Sequence, residues 1–451
     1  MKLRKHQKQS AKFLADSARA LDFSDPGTGK TAVHITDFAT RRKARGGCAL
    51  IVAPKSLLQS AWANDFRKFA PTIRTSIARA SNREEAFTAD ADAYITNIDA
   101  VNWLVKQKPA FFKKFDHLII DESTGFKHHT SARSKAMKKI AKYFPIRRAL
   151  TGTPVSNSIT DIWHQALIID DGKRLGTSFF AFRSAVCIPE QAGPRPEHVR
   201  WVDRENAEAV VGALLNDIVI RHRFEECVDI PPNLQYAMSF ELSTKHMAQY
   251  KELAATSMLS LKDSTVRAVN GAVLYGKLLQ VASGASYGDH DAEGEGQYAL
   301  INSDRYNLVM DLVEARAHCL VAFLWKHQRD ELVKAAEARG LTYAVIDGHT
   351  RNVDEIVQNY QNGCYKVLFA HPKSAAHGLT LTKGTTTIFA SPTNNLEWYL
   401  QFLKRIYRMT QTEKTETIVV VARGTIDEQV WEATQAKDLR QDSLLRFLEA
   451  A

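Results

Sequence analysis

The segment Ser24-Asp25-Pro26-Gly27-Thr28-Gly29-Lys30-Thr31 carries the residue types needed to hold a polyphosphate. Glycines let backbone N–H groups wrap a phosphate, a lysine neutralises charge on the β- and γ-phosphates, and a threonine hydroxyl can join a Mg2+ shell. A helix-compatible run, Ala32-Val33-His34-Ile35, follows at once, so the positive end of a helix dipole would face the same phosphates. Ser24 stands where the first glycine of such a loop is usual, but the Gly27-Thr28-Gly29-Lys30-Thr31 core is intact. The competing reading is a chance glycine-rich turn, which the strand–loop–helix context disfavours. A phosphate loop also needs a carboxylate on a neighbouring strand. His117-Leu118-Ile119-Ile120-Asp121-Glu122 supplies two, at the end of an apolar strand. Asp121 would hold the metal through water, and Glu122 would polarise an attacking water as general base. Alone, Asp121-Glu122-Ser123-Thr124 could equally cap a helix. With Lys30 and Thr31 upstream, the site reads as one that binds ATP with Mg2+ and hydrolyses it.

Such side chains need a rigid sheet to present them. One set of apolar runs covers 49–53, 93–96, 117–120 and the approach to Thr151, with helical periodicity at 57–69 and 131–143. A second set covers 319–323, 343–346, 367–370, 386–389 and 417–421, with helix-like stretches at 326–339, 352–361 and 395–409. Apolar strands alternating with helices predict parallel sheets covered on both faces, and ligands at the carboxyl ends of their strands. The fold class is therefore α/β with two parallel-sheet domains, plus helical insertions in the middle of the chain. Successive prolines at Pro231-Pro232 disfavour helix and mark the crossing. The expected domains are 1–230, with a helical insertion at about 155–220, and 231–451, with one at about 241–300. The Gly-rich stretch from Gly284 to Gly296 reads as a loop.

Composition adds limits. The 451 residues carry a net charge of +10, which is compatible with a polyanionic partner. From Lys127 to Arg148 there are eight Lys or Arg and no Asp or Glu, either a solvated helix face or an extension of a nucleic-acid surface. The five cysteines are too scattered for a zinc site or a disulfide framework. No apolar run is long enough for a membrane span, and the charged N-terminus lacks a signal-peptide core, so a cytoplasmic protein is expected, in the host cytoplasm if viral.

The pairing of this phosphate loop with Asp-Glu-Ser-Thr resembles helicase superfamily two, specifically the Swi/Snf-like DNA translocases of compact phage and prophage type. The resemblance runs from about Leu3 to Lys437 and implies that the two α/β domains are RecA-like. Leu3-Arg4-Lys5-His6-Gln7 is similar to the motif in which a glutamine reads adenine, which implies that role for Gln7. Val52-Ala53-Pro54-Lys55-Ser56, Ile95-Thr96-Asn97 and Leu150-Thr151-Gly152-Thr153-Pro154 resemble the DNA-contacting and coupling motifs of the first domain. Asp170-Asp171-Gly172-Lys173-Arg174 is similar to phage-type members. In the second domain, Asp347-Gly348-His349-Thr350 and the run from His371 to Leu381 resemble DNA-facing motifs, and Gln401, Arg405, Arg408 and Gln411 match the finger motif. The resemblance implies that Arg405 and Arg408 reach the γ-phosphate, that Gly378 and Gln401 belong to the nucleotide-binding set with residues 25–31, and that Lys55, Thr96, Arg351 and Ser374 contact DNA. Thr124, Thr380, Lys404 and Met409-Thr410 depart from the family's usual residues without removing a phosphate, metal or finger ligand.

The function implied is an ATP-dependent DNA translocase on duplex or branched DNA, working beside replication or recombination proteins. The alternatives are an RNA or strand-separating helicase, and an ATP-gated DNA-binding protein that does not move.

Overall fold

A computed structural model describes residues 3–192, 199–263, 267–288, 296–375 and 379–449. The chain divides into two compact units, residues 1–229 with 437–451, and residues 230–436.

The first unit is built on strands β1 (Arg19–Asp22), β2 (Cys48–Ala53), β3 (Thr75–Ala78), β4 (Ala93–Asn97), β5 (Phe115–Asp121) and β6 (Ile146–Leu150). An antiparallel hairpin, β7 (Cys187–Gln191) with β8 (Val199–Asp203), stands apart from them, and β9 (Val219–Ile220) completes the main sheet. That sheet has the order β3-β4-β2-β5-β6-β1-β9, with every pair parallel. Its strand β2 is apolar at every position, and β5 is apolar over 118–120, because helices cover both faces. Leu50, Val52, Leu118 and Ile120 enter the core on one face; Ile51, Ala53 and Ile119 enter that on the other. Leu444, Leu445 and Leu448, from the last helix (Ile426–Glu449), also lie in the first unit's core. Residues 437–451, expected with the second domain, therefore pack with the first, because that end of the helix finds its apolar partners there.

The second unit has strands β10 (Asn233–Phe240), β11 (Ala285–Tyr287), β12 (Tyr298–Leu300), β13 (Cys319–Ala322), β14 (Tyr343–Ile346), β15 (Val367–Ala370), β16 (Thr386–Phe389) and β17 (Thr415–Ala422). Its main sheet has the order β10-β17-β16-β13-β15-β14, again parallel throughout. Both units thus have the parallel sheet expected of RecA-like domains.

Several expectations need correction. The middle of the chain is not simply helical. It carries the β7–β8 hairpin, the edge strand β10 and the small antiparallel pair β11–β12. The latter pair takes up Ala285–Tyr287, read from sequence as loop. The helix expected over 395–409 ends at Leu403, and Arg405 and Arg408 lie in the turns beyond it. The basic stretch is not one surface. Arg147 and Arg148 are buried in β6, where Arg147 donates to the Ile168 carbonyl (3.0 Å) and Asp171 (2.8 Å). Arg148 donates to the Leu14 (3.0 Å) and Ser17 (2.6 Å) carbonyls and lies 3.4 Å from Asp37. Lys135, Lys139 and Lys142 are exposed.

Candidate nucleotide-binding site

The phosphate loop joins β1 to the helix Lys30–Arg45. Gly27 (φ 92°) and Gly29 (φ 83°) adopt the left-handed conformation that glycine reaches without a side-chain clash. Ser24, the departure from the usual glycine, ties the loop at both ends. Its N–H donates to Asp22 (3.0 Å), and its hydroxyl accepts from the His222 N–H (3.1 Å). Asp25 is clamped by the same segment, accepting from the Phe224 N–H (3.0 Å) and lying 3.5 Å from Arg221. The Phe224 ring packs so closely on Gly27 that a Cβ there would sit 3.0 Å from it. On the other side Gly152 meets Pro26, where a Cβ would sit 2.5 Å from the proline ring. Residues 221–224 thus form a strap behind the loop.

Lys30 Nζ donates to the carbonyls of Ser24 (2.5 Å) and Asp25 (3.3 Å), folded onto its own loop. Thr31, one residue into the helix, is partly exposed. Gln7 is buried, with its Nε2 donating to the Thr28 carbonyl (3.3 Å) beside His6, which contacts the same oxygen (2.9 Å). Beneath the loop, burial raises Asp22, but the hydrogen bond and charge of His34, with Lys30 and Ser24, carry it below the ordinary aspartate value.

Register places the acidic pair at the same level. Asp121 on β5 aligns with Leu150 on β6, which aligns with Asp22 on β1. Two strand spacings, about 10 Å, therefore separate the root of the loop from Asp121. Asp121 is buried; its Oδ2 accepts from the Trp62 indole N–H (2.8 Å) and its Oδ1 from the Glu122 N–H (3.1 Å). Burial raises its pKa above the ordinary aspartate value, against the opposing effects of Trp62, Lys30, the Glu122 N–H and His34. Glu122 is one of two non-glycine residues at positive φ among those described (φ 51°). Such backbone strain gathers at functional sites. Thr151 Oγ1 donates to Glu122 Oε2 (3.3 Å), which links the carboxylate to the Thr151–Pro154 loop.

These residues fit Mg2+ with ATP. A desolvated carboxyl group facing a cationic loop is a place where a divalent ion restores the ionised form. Mg2+ needs only one or two protein oxygens, the remainder coming from phosphate and water. Thr31 would supply such an oxygen, and Asp121 would hold the ion through water.

The raised Asp121 has a stability consequence. A carboxyl group whose folded pKa exceeds its unfolded value costs folding free energy once pH passes the unfolded value, and the whole cost is present above the folded value. Asp121→Asn removes that ionisation, although its amide can offer only one oxygen to the Trp62 and Glu122 N–H donors. The melting temperature of the nucleotide-free variant relative to wild type is therefore expected to improve as pH rises from about 4 to 7.5, with Mg2+-dependent hydrolysis lost throughout. A difference that does not change with pH would contradict this reading; calorimetry across pH decides it.

In the second unit, Gln401 is buried and its Nε2 donates to Glu397 (3.3 Å). Arg405 Nε donates to the Gln401 carbonyl (2.7 Å). Arg405 (3.4 Å) and Arg408 (2.8 Å) both reach the Leu379 carbonyl, and Arg408 also donates to Thr380 Oγ1 (2.6 Å). Gln411 fastens the turn through the carbonyls of Thr382 (3.1 Å) and Gly384 (3.0 Å). The structure thus gathers both arginines at 379–380; Gly378 lies outside the described residues. Of the expected DNA contacts, Lys55 and Arg351 are exposed and Ser374 is partly buried. Thr96 is a correction. It is fully buried in β4 with its hydroxyl donating to the Ala78 carbonyl (2.8 Å), so it cannot meet a phosphate.

The model of the SNF2-related domain matches residues 6–282, and that of the helicase conserved C-terminal domain matches residues 304–410. The chain belongs to the SNF2-related family. It is an ATPase of the helicase type. Among the relatives of this SNF2-related chain is protein p41 of Acyrthosiphon pisum secondary endosymbiont phage 1, 29% identical over 99% of this chain and 98% of that protein. An ATP-dependent helicase of Mycoplasma genitalium is 24% identical over 96% of this chain but only 41% of its own length. A solved SWI2/SNF2 ATPase core of Sulfolobus solfataricus, in complex with dsDNA, is 20% identical with a TM-score of 0.45, covering 98% and 92% of the two chains. The chain spans nearly all of the phage relative and less than half of the mycoplasmal one. No described helix is long and apolar enough to cross a membrane.

Proposed function

We propose that this ATPase is a DNA translocase that couples hydrolysis to movement along duplex or branched DNA. The observation that carries the reading is the register row in which the Lys30 loop and the Asp121–Glu122 pair stand at the same level of one sheet. Residues 25–31 hold the triphosphate, Lys30 leaving its carbonyl partners for the phosphates, and Gln7 reads the adenine edge. Thr31 and Asp121 hold Mg2+, which when bound offsets phosphate charge. Glu122 accepts a proton from the attacking water at its carboxylate, held in place by Thr151. Arg405 and Arg408 bring positive charge to the γ-phosphate, and Gly378 and Gln401 complete the nucleotide-binding set. Lys55, Arg351 and Ser374 contact DNA phosphates, as suits a motor that must ignore sequence. A role on replication, recombination or repair intermediates suits a motor that moves on duplex or branched DNA.

ATP turnover should be measured with no nucleic acid, duplex, single-stranded and branched DNA, and RNA. Strong stimulation by duplex or branched DNA is expected. Stimulation by RNA alone would establish an RNA helicase instead. The DNA concentration giving half-stimulation should rise roughly 100-fold between 50 and 200 mM salt if about four phosphates are neutralised. A salt-independent value would count against phosphate contacts.

A further inference from the structure

The sheet of the second unit changes direction around β13. The chain passes from β13 to the edge at β14, returns to β15, then crosses to β16 on the far side of β13. The carboxyl ends of strands at such a switch leave a crevice in which parallel sheets bind ligands. A cavity of about 960 Å³ lies there, walled by the loops that follow β13, β14, β15 and β16. That volume accommodates a nucleotide.

Its lining is unusual for a surface that meets only phosphates. Trp325 and Trp398 both line it. Trp325 is stacked on buried His327, with ring centroids 5.9 Å apart and planes at 13°. Trp398, on the first turn of the helix Leu396–Leu403, meets the edge of His371 (5.5 Å), which in turn meets Phe323 (5.8 Å). Lys326 and Lys373 are exposed at the same cavity. Indole faces do nothing for a phosphate, but they are the platform on which an unpaired base stacks, with cations beside it for the backbone. Bases inside a duplex are already stacked and cannot enter.

We propose that this cavity takes an unpaired nucleotide, its base against Trp325 and Trp398 and its phosphate beside Lys326 and Lys373. The inference rests on the DNA reading above and narrows it: the preferred substrate is DNA that offers unpaired bases next to duplex, as gaps and branch points do.

The test compares a fully paired duplex with the same duplex carrying a short gap that contains 2-aminopurine. The gapped duplex is expected to half-activate ATP hydrolysis at a concentration roughly 5- to 150-fold lower, the range for stacking one base. The 2-aminopurine fluorescence should fall on binding. Trp398→Ala should abolish both the preference and the quenching, while Trp398→Phe, which keeps a ring and guards against a folding defect, should retain most of each. If duplex stimulates the wild type but the gap gives neither preference nor quenching, or if Trp398→Ala retains both, the inference is overturned and the DNA reading stands. If neither DNA binds or stimulates, both fall together.

Discussion

Glu122→Gln will bind ATP with near-native affinity and hydrolyse it roughly 10²–10⁴-fold more slowly, the range that loss of a general base produces. The amide keeps the size of the side chain and an oxygen to accept from Thr151, so the left-handed backbone at 122 and the link to the Thr151–Pro154 loop survive. What it loses is the ability to take a proton. The loop that holds the triphosphate is untouched, because Lys30 and the strap at 221–224 lie on other elements. Equilibrium binding of a fluorescent ATP analogue and single-turnover hydrolysis, measured on one preparation, separate the two effects. A rate within tenfold of wild type would remove Glu122 from the mechanism.

Arg405→Ala will leave that binding equally intact and depress hydrolysis by about 10³–10⁵-fold, the value of an arginine finger in related phosphoryl transfers. The proposed phosphate loop, residues 25–31, lies in the first unit and Arg405 in the second, so a large loss of turnover without loss of affinity is the signature of charge delivered late in the reaction. Because Arg405 is buried and bonded to the Gln401 and Leu379 carbonyls, the variant needs a thermal melt as a control. Arg405→Lys keeps charge but not the fork, and should recover little activity. Weakened ATP binding with normal turnover would contradict the assignment.

What could be read from residues alone follows from how local each signal is. The strands β2, β13 and β15 are continuous apolar runs because both faces are covered, and they stand out in the sequence. By contrast β10, at the sheet edge, alternates exposed with half-buried positions and leaves Leu234 65% exposed, so no apolar run marks it. The strand β1 has only four residues and ends in Asp22, a charge made tolerable by His34 on the following helix. The phosphate loop and the acidic pair were legible because their chemistry demands particular types at adjacent positions. The strap was not: Phe224 serves Asp25 across 199 positions of chain. Arg147 and Arg148 misled for the same reason, since Asp37, which receives Arg148, lies 111 residues away.

Movement itself is the central claim, and displacement of a third strand from a triplex measures it most directly. A short oligonucleotide paired in the major groove of a duplex comes off when a motor passes beneath it. With ATP the wild-type protein is expected to release that strand, and to fail to do so with Glu122→Gln or a non-hydrolysable analogue. Vigorous DNA-stimulated hydrolysis with the third strand still in place would contradict translocation and leave a DNA-binding protein gated by ATP.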